Sequence, residues 1–286
     1  MLLSNLYKLF KFQKIYNLSE DKYFSSITAN SKLINDRTIF IYDKNSKVKN
    51  KFLKEAIKNH TPAIISNKYF RNIKIPQFIT NDLNKQIELI LNNLYKNHPK
   101  KTIAVTGTNG KTSVTWYISE ILNLLKYQNS SVGTLGHYIN GKKINETNLT
   151  TPAYEELVKY GSYAKMNKNT FIFEASSHAL DQNRIRNYPV NIAAITNISN
   201  DHLDYHKTIS EYKKAKIKLF TNHLDRNGIA IINKRINNIS SLTKKLINYG
   251  IKIKYFGKNY VFLENKNIFF NLKIKNNKYK IKNLKL

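Results

Sequence analysis

One run, TIAVTGTNGKTSVTWYISE from Thr102 to Glu120, limits what this chain can fold into more than any other. An apolar segment ends at Gly107. Gly110 follows, then Lys111 and Thr112 at the head of an amphipathic stretch. Strand, glycine turn and helix start, in that order, bring backbone N–H groups and the positive end of a helix to one point. Such a point cradles an anion, and phosphate fits it well. Lys111 can reach the β/γ-phosphates of a nucleotide, and the Thr112 hydroxyl can ligate Mg²⁺. The common phosphate-loop pattern G-x-x-x-x-G-K-[ST] nevertheless fails, because Val105 stands where its first glycine belongs. The loop is shorter between its glycines, and the mechanism does not depend on the missing one.

The strand before this loop belongs to a longer alternation. DRTIFIYD, PAIIS and IPQFIT read as strands, with helices over NKFLKEAIKNH and DLNKQIELILNNLYKNHP. Pro99 and its lysines punctuate the last helix and place a domain boundary near residue 98. A second alternation follows: strand TIAVTG, a helix from about Lys111, SSVGTLG, a helix from about Ala153, strands TFIFEAS and NIAAITNIS, helix ISEYKKAKIKLF and strand GIAIIN. Strands alternating with helices predict two α/β domains, the second with a largely parallel sheet. After Ile251 the runs KIKYFG, YVFLE and NIFFNLKI are β-like. At the N-terminus, Leu2, Leu3, Leu6, Leu9 and Phe10 recur at helical spacing and predict a helix docked on the first domain.

Composition narrows the function classes. The 286 residues include no cysteine, which excludes disulfides, cysteine-held metals and thiol nucleophiles. A cysteine-free chain fits a cytoplasmic protein. No stretch approaches the roughly 18 apolar residues of a membrane span, so no stable membrane insertion is expected. Forty-eight Lys and Arg against 18 Asp and Glu give a net charge of +30. The lysines are spread along the chain, and Lys, Asn, Ile, Tyr and Phe are all residues with A/T-rich codons. The charge therefore reads as a compositional bias that favours anionic substrates, and nucleic acid is not an expected partner.

Further candidates stand at strand ends, where α/β sheets bind ligands. FIFEASSHALDQNR puts Glu174 at the end of a buried strand. ITNISNDHLDYH ends another strand and supplies Asp201, His202, Asp204 and His206, and EYKKAKIKLF carries Lys216 on a helix. An acid, a histidine and the loop threonine at one edge suit Mg²⁺ with phosphate oxygens. Taken singly, Glu174 also reads as a capping acid, the histidines as framework residues and Lys216 as a solvated lysine. His60, His98, His137 and His223 have no motif around them and read as structural or surface residues. Ser177 and His178 are adjacent and make no Ser-His-Asp triad.

Together, TGTNGKTS, GTLG, TTP, EASSHAL and NDHLDYH, in this order, resemble the Mur ligases, and among them the UDP-N-acetylmuramoyl-tripeptide synthetase branch. Folylpolyglutamate synthetases share the loop and a similar TN…DH, without the SSHAL and DHLDYH runs. The resemblance is strongest from Lys101 to Phe220. It implies a small N-terminal α/β domain for the UDP-substrate (1–98) and a central ATPase domain (99–286). The implied reaction is ATP-dependent: the side-chain carboxylate of UDP-MurNAc-L-Ala-D-Glu becomes an acyl phosphate, and the amine of meso-diaminopimelate or L-lysine attacks it.

Carried over by motif, Gly107, Thr108, Asn109, Gly110, Lys111, Thr112 and Ser113 hold the ATP phosphates. Thr112 and Glu174 serve Mg²⁺, and His202 serves a second Mg²⁺. Lys216 matches a lysine that becomes carbamylated and then serves as an anionic metal-binding or water-orienting group. Thr150, Thr151, Ser177, Gln182 and Arg184 match substrate contacts. Ser31 in NSKLIND matches one near the uridine site, although Lys32 replaces an arginine, and Leu149 replaces a polar residue before the threonine pair. The family's third domain, which carries the incoming amino acid, has no counterpart in these residues, so a C-terminal domain acting in trans is an expected partner. The open alternatives are another Mur-type or folylpolyglutamate-type ligase, or a non-catalytic nucleotide- or precursor-binding protein.

Overall fold

The computed structural model describes residues 1–45, 50–163, 169–257, 261–264, 267–274 and 277–284, with side chains described up to residue 257. The chain divides into two compact units: Met1–Pro99 with Pro152–Asn169, and Lys100–Thr151 with Thr170–Leu286.

The first unit opens with α1 (Leu3–Leu9) and β1 (Lys14–Tyr16), then β2 (Ser26–Thr28) and β3 (Thr38–Tyr42). It continues with α2 (Asn50–Lys58), β4 (Ile64–Ser66), β5 (Gln77–Ile79) and α3 (Leu83–Leu94). Strands β2 to β5 are parallel, and β1 adds antiparallel to β5. Ile34, Phe40, Tyr42, Leu53, Ala56 and Ile64 form one core cluster. Asp82 caps α3 by accepting from the Lys85 N–H. In α1, Leu3 and Leu6 are buried, whereas Leu2 and Leu9 face solvent; seven residues give room for a narrow apolar stripe only.

The second unit starts with β6 (Lys101–Thr106), α4 (Lys111–Leu124), β7 (Asn129–Gly133), β8 (Gly136–Ile139) and β9 (Lys142–Asn145). Residues Pro152–Asn169 then cluster with the first unit, where α5 (Tyr154–Ser162) packs on α3 and beside β2. Back in the second unit come β10 (Thr170–Glu174), α6 (Ser177–Asp181), β11 (Val190–Ile195), α7 (Leu203–His206) and α8 (Ile209–Lys218). A π-helical turn, Leu219–His223, joins α8 to β12 (Leu224–Asn233), and α9 (Ser240–Asn248) leads to β13 (Lys252–Phe256).

These strands make one eight-stranded sheet, ordered β13-β12-β11-β6-β10-β7-β8-β9. It is parallel from β13 to β7, with β8 and β9 antiparallel at one end. Central strands covered on both faces must be apolar throughout, and Phe171, Ile172, Phe173, Ala193 and Ile195 are buried accordingly. Strands β14 (Val261–Glu264), β15 (Asn267–Ile274) and β16 (Asn277–Leu284) pair as a separate antiparallel sheet. Tyr260 of the predicted YVFLE strand lies outside the described residues. The mixed α/β architecture with mostly parallel sheets is the predicted one.

Candidate nucleotide site

Register sets the site. β6 lies between β10 and β11; Val105 pairs with Glu174, and Thr106 pairs with Ile195. Three loops therefore leave the same sheet edge side by side: Gly107–Gly110, Ala175–Ser176 and Thr196–His202. This is the carboxyl edge, where a parallel sheet presents ligand sites.

The first loop has the predicted form. Gly107 has φ +146°, and a Cβ there would lie 1.8 Å from Thr196 Oγ1. Gly110, at φ +82°, is the residue before the first turn of α4, so Lys111, Thr112 and Ser113 begin the helix. The first N–H groups of a helix have no intrahelical acceptor. Lys111 Nζ folds back to donate to the Gly107 and Thr108 carbonyls at 3.0 and 2.9 Å. Burial lowers its pKa, opposed by the nearby charges of Glu174 and Asp201.

Glu174 is 1 % exposed. Thr112 Oγ1 donates to its Oε2 at 2.9 Å, and the Thr134 N–H donates to its Oε1 at 2.8 Å. Burial raises the carboxyl's pKa, while these two donors and Lys111 pull it back. A buried carboxylate beside a threonine hydroxyl is a hard-oxygen pair of the kind Mg²⁺ takes together with phosphate oxygens. The pair therefore fits the cation that the loop implies. Among the described residues no group of three or more His, Asp or Glu side chains is gathered to hold a metal alone.

Lys216 is the other buried charge, 1 % exposed on α8. Its Nζ donates to the Gly107 carbonyl at 2.7 Å and lies 4.3 Å from the centre of the Tyr212 ring. Burial, then repulsion from Lys111, lowers its pKa to about 7. Tyr212 in turn donates from its hydroxyl to Thr108 Oγ1 at 3.1 Å.

His202 adopts φ +52° and sits 3.5 Å from Asp201. Its ring contacts are with His178, centroids 4.9 Å apart, and with Tyr212. His206 packs on the same cluster, and its buried Nε2 has no hydrogen-bond partner among the described residues. His202 is thus assembled with an aromatic cluster, whereas Glu174's hydrogen bonds come from Thr112 and Thr134. His137 and His223 are buried framework residues, bonded to Ser130 and to the Arg186 carbonyl.

Of the substrate candidates, Thr151 is fully buried. Its hydroxyl donates to the Glu174 carbonyl at 2.7 Å and accepts from the Ser176 N–H. Thr150 meets Thr134, hydroxyl to hydroxyl, at 3.2 Å. Arg184 reaches the Thr151 carbonyl from Nη1 and grips Gln182 Oε1 with Nε and Nη2. The Ser177 hydroxyl is buried without a hydrogen-bond partner among the described residues. Ser31 belongs to the first unit, where its hydroxyl donates to Glu55 at 2.6 Å.

Residues that the sequence patterns include but give no role also shape the site. Thr196 fills the space left by Gly107, Asn197 binds Asn109, and Thr134 holds Glu174. These contacts are long-range, so the motifs do not show which residues they join. Tyr212, one helical turn before Lys216, was within reach of the i, i+4 rule.

Comparison with known proteins agrees with this layout. Residues 105–285 match the Mur ligase middle domain. The UDP-N-acetylmuramoyl-L-alanyl-D-glutamate–2,6-diaminopimelate ligase of Rickettsia montanensis is 39% identical over 260 residues, 89% of this chain and 52% of the relative. Its namesake in Buchnera aphidicola subsp. Schizaphis graminum is 36% identical over 233 residues, 77% of this chain and 46% of the relative. A solved structure of a ligase of that name superposes with a TM-score of 0.66 at 27% identity, over 90% of this chain and 55% of that one. The MurF ligase of Thermotoga maritima, solved with ADP, shares the fold at a TM-score of 0.60 and 18% identity, over 90% of this chain and 57% of that one. The chain spans about half the length of the curated relatives it matches. Many proteins share a phosphate loop, but this match runs through the loop, the Glu174 strand and the Lys216 helix alike, and by it the chain belongs to the Mur ligase family.

Proposed function

We propose that the protein is the nucleotide- and precursor-binding part of an ATP-dependent ligase of peptidoglycan precursor synthesis, acting in the cytoplasm. In this reading residues 1–98 serve the UDP-substrate and residues 99–286 serve ATP. The ligase joins a diamino acid, meso-diaminopimelate or L-lysine, to UDP-MurNAc-L-Ala-D-Glu. A carboxylate is a poor acylating agent. Phosphorylation by ATP gives it a leaving group, the amine displaces phosphate, and the tripeptide, ADP and phosphate are released. Two anions must first approach each other, and that repulsion is what the site has to offset.

The observation that carries the reading is the convergence of Lys111, Thr112, Glu174 and Lys216 on one loop at the sheet edge. Lys111 supplies positive charge at the phosphates, and the N–H groups at the start of α4 donate to their oxygens. Thr112 and Glu174 would hold Mg²⁺, which when bound neutralises phosphate charge, and His202 would hold a second ion. Lys216, with its pKa near 7, has a neutral amine available at physiological pH. Addition of CO₂ with loss of a proton would convert it to a carbamate beside that cation. Thr150, Thr151, Ser177, Gln182 and Arg184 would bind the UDP-precursor, with Arg184 suited to an anionic group. The part of the relatives that this chain does not span would meet the incoming amino acid, in trans where it is a separate polypeptide.

Mg-ATP binding by calorimetry, followed by ADP release with UDP-MurNAc, its alanyl form and its alanyl-glutamyl form, tests the proposal. We expect Mg-ATP binding that Lys111→Ala abolishes, and a response to the alanyl-glutamyl form alone. Preference for either shorter precursor would assign a different ligase. Absence of nucleotide binding would overturn the reading.

A further inference from the structure

The phosphate loop lacks the first glycine of the common pattern, and the structure shows what stands in for the longer loop. Asn109, at its tip, has both backbone groups engaged. Its N–H donates to Asn197 Oδ1 at 3.0 Å, and its carbonyl accepts from Asn197 Nδ2 at 3.0 Å. The side-chain amide of Asn197 thus pairs with the Asn109 backbone as a second strand would. Exchanging its oxygen and nitrogen would break both bonds, so the orientation is fixed.

Thr196 completes the clamp. Its hydroxyl donates to the same Asn109 carbonyl at 2.6 Å and fills the space that a Cβ on Gly107 would take. Its backbone N–H donates to the Thr106 carbonyl, and the Asn197 carbonyl accepts from the Thr108 N–H, each at 3.0 Å. Thr196 is held in turn by Asn233, whose Nδ2 donates to its carbonyl at 2.7 Å. Gly107, Thr108 and Asn109 are therefore each fixed by the segment that follows β11.

We propose that Asn197, with Thr196, is the positioning residue of the phosphate loop. The pair keeps the Asn109 N–H away from the nucleotide and leaves the N–H groups of Gly110, Lys111, Thr112 and Ser113 as the anion donors. It presets the loop before ligand arrives, so binding does not have to order it. Neither residue touches phosphate. The inference rests on the nucleotide-site reading for its consequence, and on the loop geometry alone for its cause.

The test separates these. Hydrogen exchange is measured on the ligand-free full chain over residues 107–112, and Mg-ADP affinity by calorimetry, for wild type, Asn197→Ala, Asn197→Asp, Thr196→Val and Thr196→Ser. Losing both bonds to Asn109 should speed exchange in the loop, and weaken Mg-ADP binding, by about tenfold or more in Asn197→Ala. Asn197→Asp is nearly the same size but turns an oxygen toward the Asn109 carbonyl, and should lose at least as much. Thr196→Ser keeps the hydroxyl and should behave as wild type, whereas Thr196→Val should fall between. Exchange in the first unit should be unchanged, which a general loss of stability would not allow. Wild-type loop exchange in Asn197→Ala and Asn197→Asp overturns the proposal. Thr196→Val reports on the same loop if an Asn197 variant fails to fold: faster loop exchange supports the clamp, and unchanged exchange counts against it. A wild-type chain that binds no Mg-ADP defeats the nucleotide reading instead, and the exchange data still decide whether the clamp exists.

Discussion

Gly133 and Glu174 share one space: a Cβ on Gly133 would lie 2.0 Å from Glu174 Oε1. The glycine at the end of β7 is what lets the buried carboxylate lie against the next strand, within reach of Thr112 and the Thr134 N–H. Gly133→Ala must push Glu174 out of this position. Overpacking of this kind costs about 2 kcal/mol, and denaturant unfolding should show it. Mg-dependent nucleotide affinity should drop by about tenfold for the same reason, since one carboxylate ligand is displaced. Unchanged affinity in a folded Gly133→Ala protein would remove Glu174 from the cation site.

Thr151 ties the residues after Glu174 to the second unit's core. Its hydroxyl both donates to the Glu174 carbonyl and accepts from the Ser176 N–H, in a fully buried setting. Thr151→Val keeps the shape and leaves two backbone groups unpaired, at a cost of about 2 kcal/mol. Thr151→Ser should restore most of that loss. Chemical denaturation of the two variants side by side checks both statements.

The alternation of strands and helices was legible because each period was strong: the all-apolar β10 and β11 read as strands, and the glycine loop marked the start of α4. The chemistry at strand ends followed from the same reading. What was not legible was set by contacts distant in sequence. Residues 152–169 sit between two elements of the second unit, yet α5 packs on α3. The short β1 and β2 carry too few residues to show a period. The motif around His202 does not show that its ring lies against His178 and Tyr212, which come from other elements. Thr196 and Asn197 stand in the TN…DH motif, but only register shows that they lie under the loop.

Arg184 uses its planar fork. Nε and Nη2 both meet Gln182 Oε1, at 2.9 and 2.5 Å, while Nη1 reaches the Thr151 carbonyl. A lysine carries the charge but cannot make three bonds in one plane. Arg184→Lys should therefore weaken binding of the UDP-precursor by about tenfold, with Mg-ATP affinity unaltered. Calorimetric titration with each ligand separately reads this out; equal losses for both ligands would point to a general disturbance of the sheet edge.

Lys216 makes stability depend on pH in a predictable sense. Burial, reinforced by Lys111 and opposed by Asp201, lowers its pKa from the usual 10.5 to about 7 in the folded chain. Between those values the unfolded chain binds the proton and the folded chain does not. Stability must then rise with pH from about 7 toward 10, and this contribution is lost below 7, where the folded protein has to bury a charged amine. Lys216→Met removes the titrating group while keeping an unbranched apolar stem over Tyr212. Its unfolding free energy should lack the rise, so the difference between wild type and variant should shrink steadily from pH 7 to pH 9. Parallel slopes for the two proteins across that range would mean that Lys216 keeps its proton in the fold. The neutral amine that CO₂ addition requires would then be missing at physiological pH.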